Sequence, residues 1–287
     1  MNHIYRSCRA LETADYCKLW PRTAQFLLLC LMLWAWSNNA FAQMPEAALD
    51  LSGYHQTFID TFSKSDITAY GPGSKWIAHT PWNGDFGDDV FGNPGPNGPF
   101  SFSSNGLSIT ASKDQTGKWQ AGLICSVDKD GTGQQGFSQR YGYFEMRAIL
   151  PDGAGVWPAF WLIGTDKSKS VSEIDIMEYY GHSDDTYHIT EHNWVNGKDV
   201  LGAWHVVNVP PGSLTTRPNT FGVLITPNVM TFYLNRVEVW SSPTPPEYRQ
   251  PMYILANLAI GGGWPFGALS SPKIMKIQDI EVYAANP

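Results

Sequence analysis

Alternation with a period of two, in short segments closed by Gly, Pro, Asn or Asp, limits this chain more than any other feature. From Tyr141 to Leu150, the apolar Phe144, Met146, Ala148 and Leu150 alternate with Tyr143, Glu145 and Arg147. Successive side chains leave a strand on opposite faces, so this run reads as a half-buried strand. Asn105-Gly106 reads as a hairpin turn ahead of Leu107, Ile109 and Ala111. Asn235-Arg236 lies in the same way between Val229–Leu234 and Val237–Trp240, and near the end Ile280 and Val282 alternate with Glu281 and Tyr283. No ten-residue stretch of the mature part carries helical periodicity. Asn93–Pro99 is a loop rather than a linker, because strand-like sequence continues on both sides. The pattern predicts an all-β chain, an antiparallel β-sandwich or jelly roll with a concave cleft, rather than an α/β fold.

Residues 1–42 read as an export signal outside that domain. Arg6, Arg9, Lys18 and Arg22 form a basic leader, and Phe26–Trp36 is an apolar run of eleven residues. Such a run is too short to cross a hydrocarbon core of roughly 30 Å as a helix. Ala40-Phe41-Ala42 supplies the small-x-small pattern of a cleavage site; an uncleaved anchor is the alternative. Residues 43–287 are then expected to form one domain, secreted to the periplasm or beyond, a monomer with no stable membrane insertion. Cys8, Cys17 and Cys30 leave with the signal, so Cys125 stands alone, without a disulfide framework or a cysteine metal site.

Charge narrows the partners. Of 19 basic and 26 acidic side chains, the signal removes four and two, leaving 15 against 24, a net of −9. That surface repels nucleic acid and disfavours a strongly anionic polymer.

The segment richest in chemistry is Ser172-Glu173-Ile174-Asp175-Ile176-Met177-Glu178-Tyr179. In a strand, Ile174 and Ile176 face the core while Glu173 and Asp175 face away. Glu178 has the wrong parity, and a buried unpaired carboxylate is costly. One extra residue absorbed as a bulge near Ile176–Met177 returns it to the outer face. Two carboxyls on one face suit a retaining glycosidase, which needs a nucleophile and an acid/base roughly 5–5.5 Å apart. Asp175, lying between them, is placed to hydrogen-bond the nucleophile. A merely solvated acidic strand is the plain alternative. Trp157-Pro158-Ala159-Phe160-Trp161 upstream favours the catalytic reading, since sugars stack on flat rings. One of Trp157 and Trp161 is expected in the core.

With those residues in view, the chain resembles glycoside hydrolase family 16, the jelly-roll family of laminarinases, lichenases, agarases and κ-carrageenases. The resemblance rests on Tyr141–Arg147, Gly155–Leu162, Glu173–Glu178 and Asn257–Pro265, in the family's order. It implies Glu173 as nucleophile, Asp175 as its helper and Glu178 as acid/base, with retention. It also implies Trp157 and Trp161 near the cleaved bond, His192 approaching the carboxylates from the next strand, and Asn257 and Trp264 as substrate contacts. With Met177 present, the run resembles the bulged laminarinase-type branch. The resemblance further implies no required cofactor and a structural Ca2+ on the convex side, for which Asp60 and Asp279 are the acidic candidates. Trp76–Phe102, with Trp82, Asp85, Asp88 and Asp89, departs from the laminarinase pattern.

The expected function is hydrolysis of internal β-bonds of a polysaccharide: a β-1,3- or β-1,3/1,4-glucan, or a bacterial exopolysaccharide. A transglycosylase with the same covalent chemistry and a non-catalytic sugar-binding jelly roll are the alternatives. His188-Ile189-Thr190-Glu191-His192 fits a zinc-peptidase motif, but that motif needs a helix where the neighbouring residues read as strand. No metal is therefore expected at the site, and no Gly-x-Ser-x-Gly elbow is present.

Overall fold

Each alternating run becomes a strand. The computed structural model describes residues 48–287 apart from residue 83, so the expected export signal, with Cys8, Cys17 and Cys30, lies outside the described residues. Fourteen strands have four or more residues. The first seven are β1 (Tyr54–Asp60), β2 (Phe100–Ser103), β3 (Gly106–Lys113), β4 (Trp119–Cys125), β5 (Gly142–Ile149), β6 (Val156–Gly164) and β7 (Val171–Glu178). The rest are β8 (Thr186–Val195), β9 (Ala203–Asn208), β10 (Asn219–Ile225), β11 (Val229–Leu234), β12 (Val237–Pro243), β13 (Met252–Ile260) and β14 (Lys273–Ala285). Helical structure among the described residues is one turn at Ser213–Thr216 and a 3-10 turn at Pro246–Tyr248.

One sheet runs β12-β11-β10-β5-β14, with β1 and the β3–β2 hairpin sharing the far edge of β14. The second runs β9-β8-β7-β6-β13-β4. All these pairings are antiparallel. The end of β3 crosses over to pair with β4, Ser112 opposite Gln120, and joins the sheets at one edge. The core lies between them. Phe144, Met146, Phe221 and Val282 of the first sheet meet Phe160, Leu162, Ile174 and Ile189 of the second in one buried cluster. Each such side chain contributes roughly 1.5–3 kcal/mol.

Both expected hairpins form. The first turn sits one residue early, Ser103 pairing with Gly106 around Ser104-Asn105, and Leu234 pairs with Val237 around Asn235-Arg236. Asn235 and Arg236 take φ of 54° and 63°, the left-handed geometry that a two-residue hairpin of this twist requires. β5 differs from expectation, being buried on both faces except at Arg147. Arg236 donates Nε–H to Glu145 Oε2 at 3.0 Å, and the Tyr233 ring meets Tyr143 edge-on at 5.7 Å. Those partners come from the neighbouring hairpin, which the alternation within β5 does not reveal.

The two calcium candidates do not converge. Asp60 faces inward opposite Ile280, accepting from the Phe62 N–H and Trp76 Nε1, each at 2.8 Å. Asp279 precedes Ile280 and so leaves β14 on the other face. The His188–His192 motif lies within β8 and lacks the helix that a zinc-peptidase motif requires.

Candidate active site

β7 is held between β6 and β8, and its register fixes the site. Ile163, Leu162 and Trp161 stand opposite Glu173, Ile174 and Asp175; Phe160 and Ala159 then stand opposite Met177 and Glu178. On the other side, His192, Thr190 and His188 stand opposite Glu173, Asp175 and Glu178. Both neighbours thus shift by one residue at Ile176–Met177, which is the expected bulge. Ile176 and Met177 are both buried in the core. Glu173, Asp175 and Glu178 consequently emerge together on the face away from it. They line a cavity of about 230 Å³ with Trp157, Trp161 and Asn257. A second cavity of about 410 Å³ adjoins it, sharing Trp82 and Glu173 and extending to Lys167 and Trp194.

Each carboxylate has its own donors. Glu178 Oε1 accepts from Trp157 Nε1 at 3.0 Å and from Tyr180 Oη at 2.9 Å. Thr190 Oγ1 donates to Glu178 Oε2 at 3.4 Å, and Trp194 Nε1 donates to Glu173 Oε2 at 2.9 Å. The Tyr248 hydroxyl reaches the backbone carbonyls of Glu173 and His192, tying β7 to β8 from behind.

Burial raises the Glu173 carboxyl above its ordinary range, while the His192 charge and the Trp194 hydrogen bond oppose the shift. Burial raises Asp175 much further, assisted by the charges of Glu178 and Glu173 and opposed by its contact with His192. Burial alone would lower His192, but its contacts with Asp175, Asp199 and Glu173 lift it to about 9. That shift favours the imidazolium at neutral pH. Nε2 lies 3.3 Å from Asp175 Oδ2, and the ring stacks on Trp194 at 4.9 Å. Glu173, Asp175 and His192 are the one acid–histidine group among the described residues with ligand atoms within 4.8 Å of one another. A metal requires a neutral imidazole, and here both ring nitrogens face carboxylates. His192 is set as a counter-cation.

The structure brings most of the expected residues together. Trp157 and Trp161 both line the cleft, and Trp161 also belongs to the buried core cluster, as expected of one of the pair. They lie four apart in β6 and so share a face. Asn257 is fully buried at the cavity wall, accepting from Trp161 Nε1 at 2.8 Å and donating to the Trp157 carbonyl at 3.1 Å. Trp264 lies apart, stacked on His182 at 3.8 Å beside Tyr180, which in turn stacks with Trp157 at 6.0 Å. Sequence reasoning missed Trp194, Tyr180 and Asp199. Trp194 has the parity of His192, and that signal was readable once His192 was placed. Trp82, Asp85 and Phe86 of the departing segment enter the cleft wall, with Phe86 edge-on to Trp157 and Trp161.

Residues 97–278 match the family model described as glycosyl hydrolases family 16. The chain belongs to that family. Among family 16 relatives, the endo-1,3-1,4-beta-glycanase ExsH of Rhizobium meliloti is 31% identical over 260 residues, covering 83% of this chain and 53% of that protein. The endo-1,3-1,4-beta-glycanase EglC of the same organism is 31% identical over 267 residues, covering 86% and 56%. This chain thus spans about half the length of these two relatives. The laminarinase catalytic domain of Thermotoga maritima superposes with a TM-score of 0.65 at 20% identity, over 82% of this chain and 100% of that one. The jelly-roll fold of family 16 is therefore this chain's fold.

Proposed function

We propose that this chain is a secreted, endo-acting glycoside hydrolase that cuts internal β-1,3 or β-1,3/1,4 linkages of a glucan or a glucose-rich bacterial exopolysaccharide. Glu173 is the nucleophile, Asp175 its helper and Glu178 the general acid/base. The observation that carries the reading is the bulge at Ile176–Met177, without which Glu178 would point into the core.

The chemistry follows the two-step course of a retaining enzyme. Glu173 attacks the anomeric carbon while Glu178 gives its proton to the leaving oxygen. Water, deprotonated by Glu178, then releases the sugar from Glu173 with the original configuration. The Trp194 N–H and the His192 cation favour ionised Glu173, and Trp157 and Tyr180 aim Glu178. The linkages are supported by the names of the two Rhizobium relatives, glucan by the beta-glucanase name of a Rhodothermus marinus relative, and the acidic charge disfavours sulfated or carboxylated polymers. Secretion rests on the leader in residues 1–42. No helix among the described residues is long and apolar enough to cross a membrane.

Incubating the purified protein with laminarin, mixed-linkage glucan, agarose and bacterial exopolysaccharides tests the reading. Early release of oligosaccharides from a glucan, the new reducing ends having the β configuration by NMR, is expected. Longer chains among the products would indicate transglycosylation. Cleavage of agarose alone, or of nothing, defeats the proposal.

A further inference from the structure

Resting on that reading, we infer that Trp204, on the edge strand β9, is an outer stacking platform for a sugar ring of the polysaccharide held by the carboxylates. Trp204 stands opposite Thr190, Thr190 opposite Asp175, and Asp175 opposite Trp161. Directly opposed residues share a face, so one row crosses the sheet from Trp161 to Trp204 with the acidic run inside it. Two strand spacings separate the Trp204 and Asp175 backbones, about 10 Å.

The burial along this row is uneven. Trp161 is 6% exposed, wedged between Asn257 and Phe86, whereas Trp204 is 66% exposed. Val200 and Leu201, on the hairpin leading into β9, are also exposed and widen the apolar strip at that edge. Trp82, half exposed, caps the other end of the row by meeting the Trp161 ring edge-on at 6.3 Å. A flat ring at each end with acids and the Thr190 hydroxyl between them suits a chain that lies across the strands. Apolar sugar faces meet the indoles and hydroxyls meet the polar centre. Continuity with the cleft face marks the occupant as the polysaccharide itself.

Trp204→Ala and Trp204→Phe separate this from a structural role, since the side chain packs little. Initial rates are taken on the glucan polymer that the parent enzyme cuts and on its oligosaccharides of increasing length. The expected result is a KM on polymer and long oligosaccharides raised about tenfold by Trp204→Ala, the loss of one well-stacked contact. The kcat on the shortest oligosaccharide cut should stay unchanged, and Trp204→Phe should recover most of the affinity. Unchanged KM on every length, or an equal loss on short and long substrates, overturns the inference. A parent enzyme that cuts no glucan defeats the functional reading instead, and the inference with it.

Discussion

His192 Nδ1 donates to Asp199 Oδ2 at 2.8 Å, so the imidazolium facing the cleft is anchored by a carboxylate from the hairpin beyond β8. The other oxygen, Asp199 Oδ1, accepts from the N–H groups of Asn193, Leu201 and Gly202 at 3.1–3.2 Å. The acid that holds the histidine is therefore itself held by three backbone donors. Burial would raise Asp199, but the hydrogen bonds from His192 and the backbone outweigh it and keep this carboxyl below its usual range.

Asp199→Asn should lower the His192 pKa from about 9 toward the ordinary 6.5. The Asp175 and Glu173 contacts still support the ring, so it keeps only part of its charge near neutral pH, ionised Glu173 loses part of its counter-charge, and the acid limb of the kcat/KM profile moves to higher pH. Stability follows the same linkage. A raised folded-state pKa stabilises fully below pH 6.5, and the benefit disappears as pH rises through about 9. The variant should lose most of that slope. A pH–rate profile, with NMR titration of His192, checks both. An unmoved acid limb and an unmoved His192 titration would contradict the assignment.

Asn257→Ala leaves the buried Trp161 N–H without its acceptor, which costs about 1–3 kcal/mol. Chemical denaturation should show that loss, and kcat/KM per folded molecule should fall because Trp161 is no longer aimed. Full activity in a destabilised variant would make Asn257 purely structural.

Glu191 faces inward from β8, accepting from Ser242, and burial pushes its carboxyl up to about 7 against the lowering effect of that hydrogen bond. Between the ordinary glutamate value of 4.5 and about 7, the unfolded chain ionises while the folded one keeps its proton. Stability therefore falls as pH rises through that window. Glu191→Gln should raise Tm above pH 7 relative to the parent, with the difference closing below pH 4.5. A difference in Tm that does not change with pH would contradict it.

Much of this was legible before any fold was known. The parity conflict between Glu173 and Glu178 already required the bulge, and alternation gave the faces of β5 and β7. The parity of Trp157 and Trp161 put both on one face, and the core preference of tryptophan matched the burial of Trp161. Which donor serves which acid was not legible, because that depends on register between strands distant in sequence. Trp194 reaches Glu173 across a hairpin, and Asp199 reaches His192 only after the chain turns at Asn196-Gly197. The role of Trp82 was also hidden, since its loop follows no period.

Met177 tests the bulge itself. Deleting it restores a simple alternating register, yet it also removes a buried side chain from a core packed around the extra residue, a loss of about 2–5 kcal/mol. A destabilised protein with residual activity is expected, and an insertion after Met177 should be worse. Unchanged Tm and kcat on deletion would show that the bulge does not position Glu178.

As the proposed nucleophile, Glu173 forms the covalent bond to the sugar. A 2-deoxy-2-fluoro glucoside or oligoglucoside with a good leaving group slows the second step and traps that species. Mass spectrometry of the inactivated protein should place one glycosyl adduct on the peptide containing Ser172–Tyr179, with fragmentation assigning it to Glu173. An adduct on Glu178 or Asp175, or full turnover with no adduct at any time, would contradict the account.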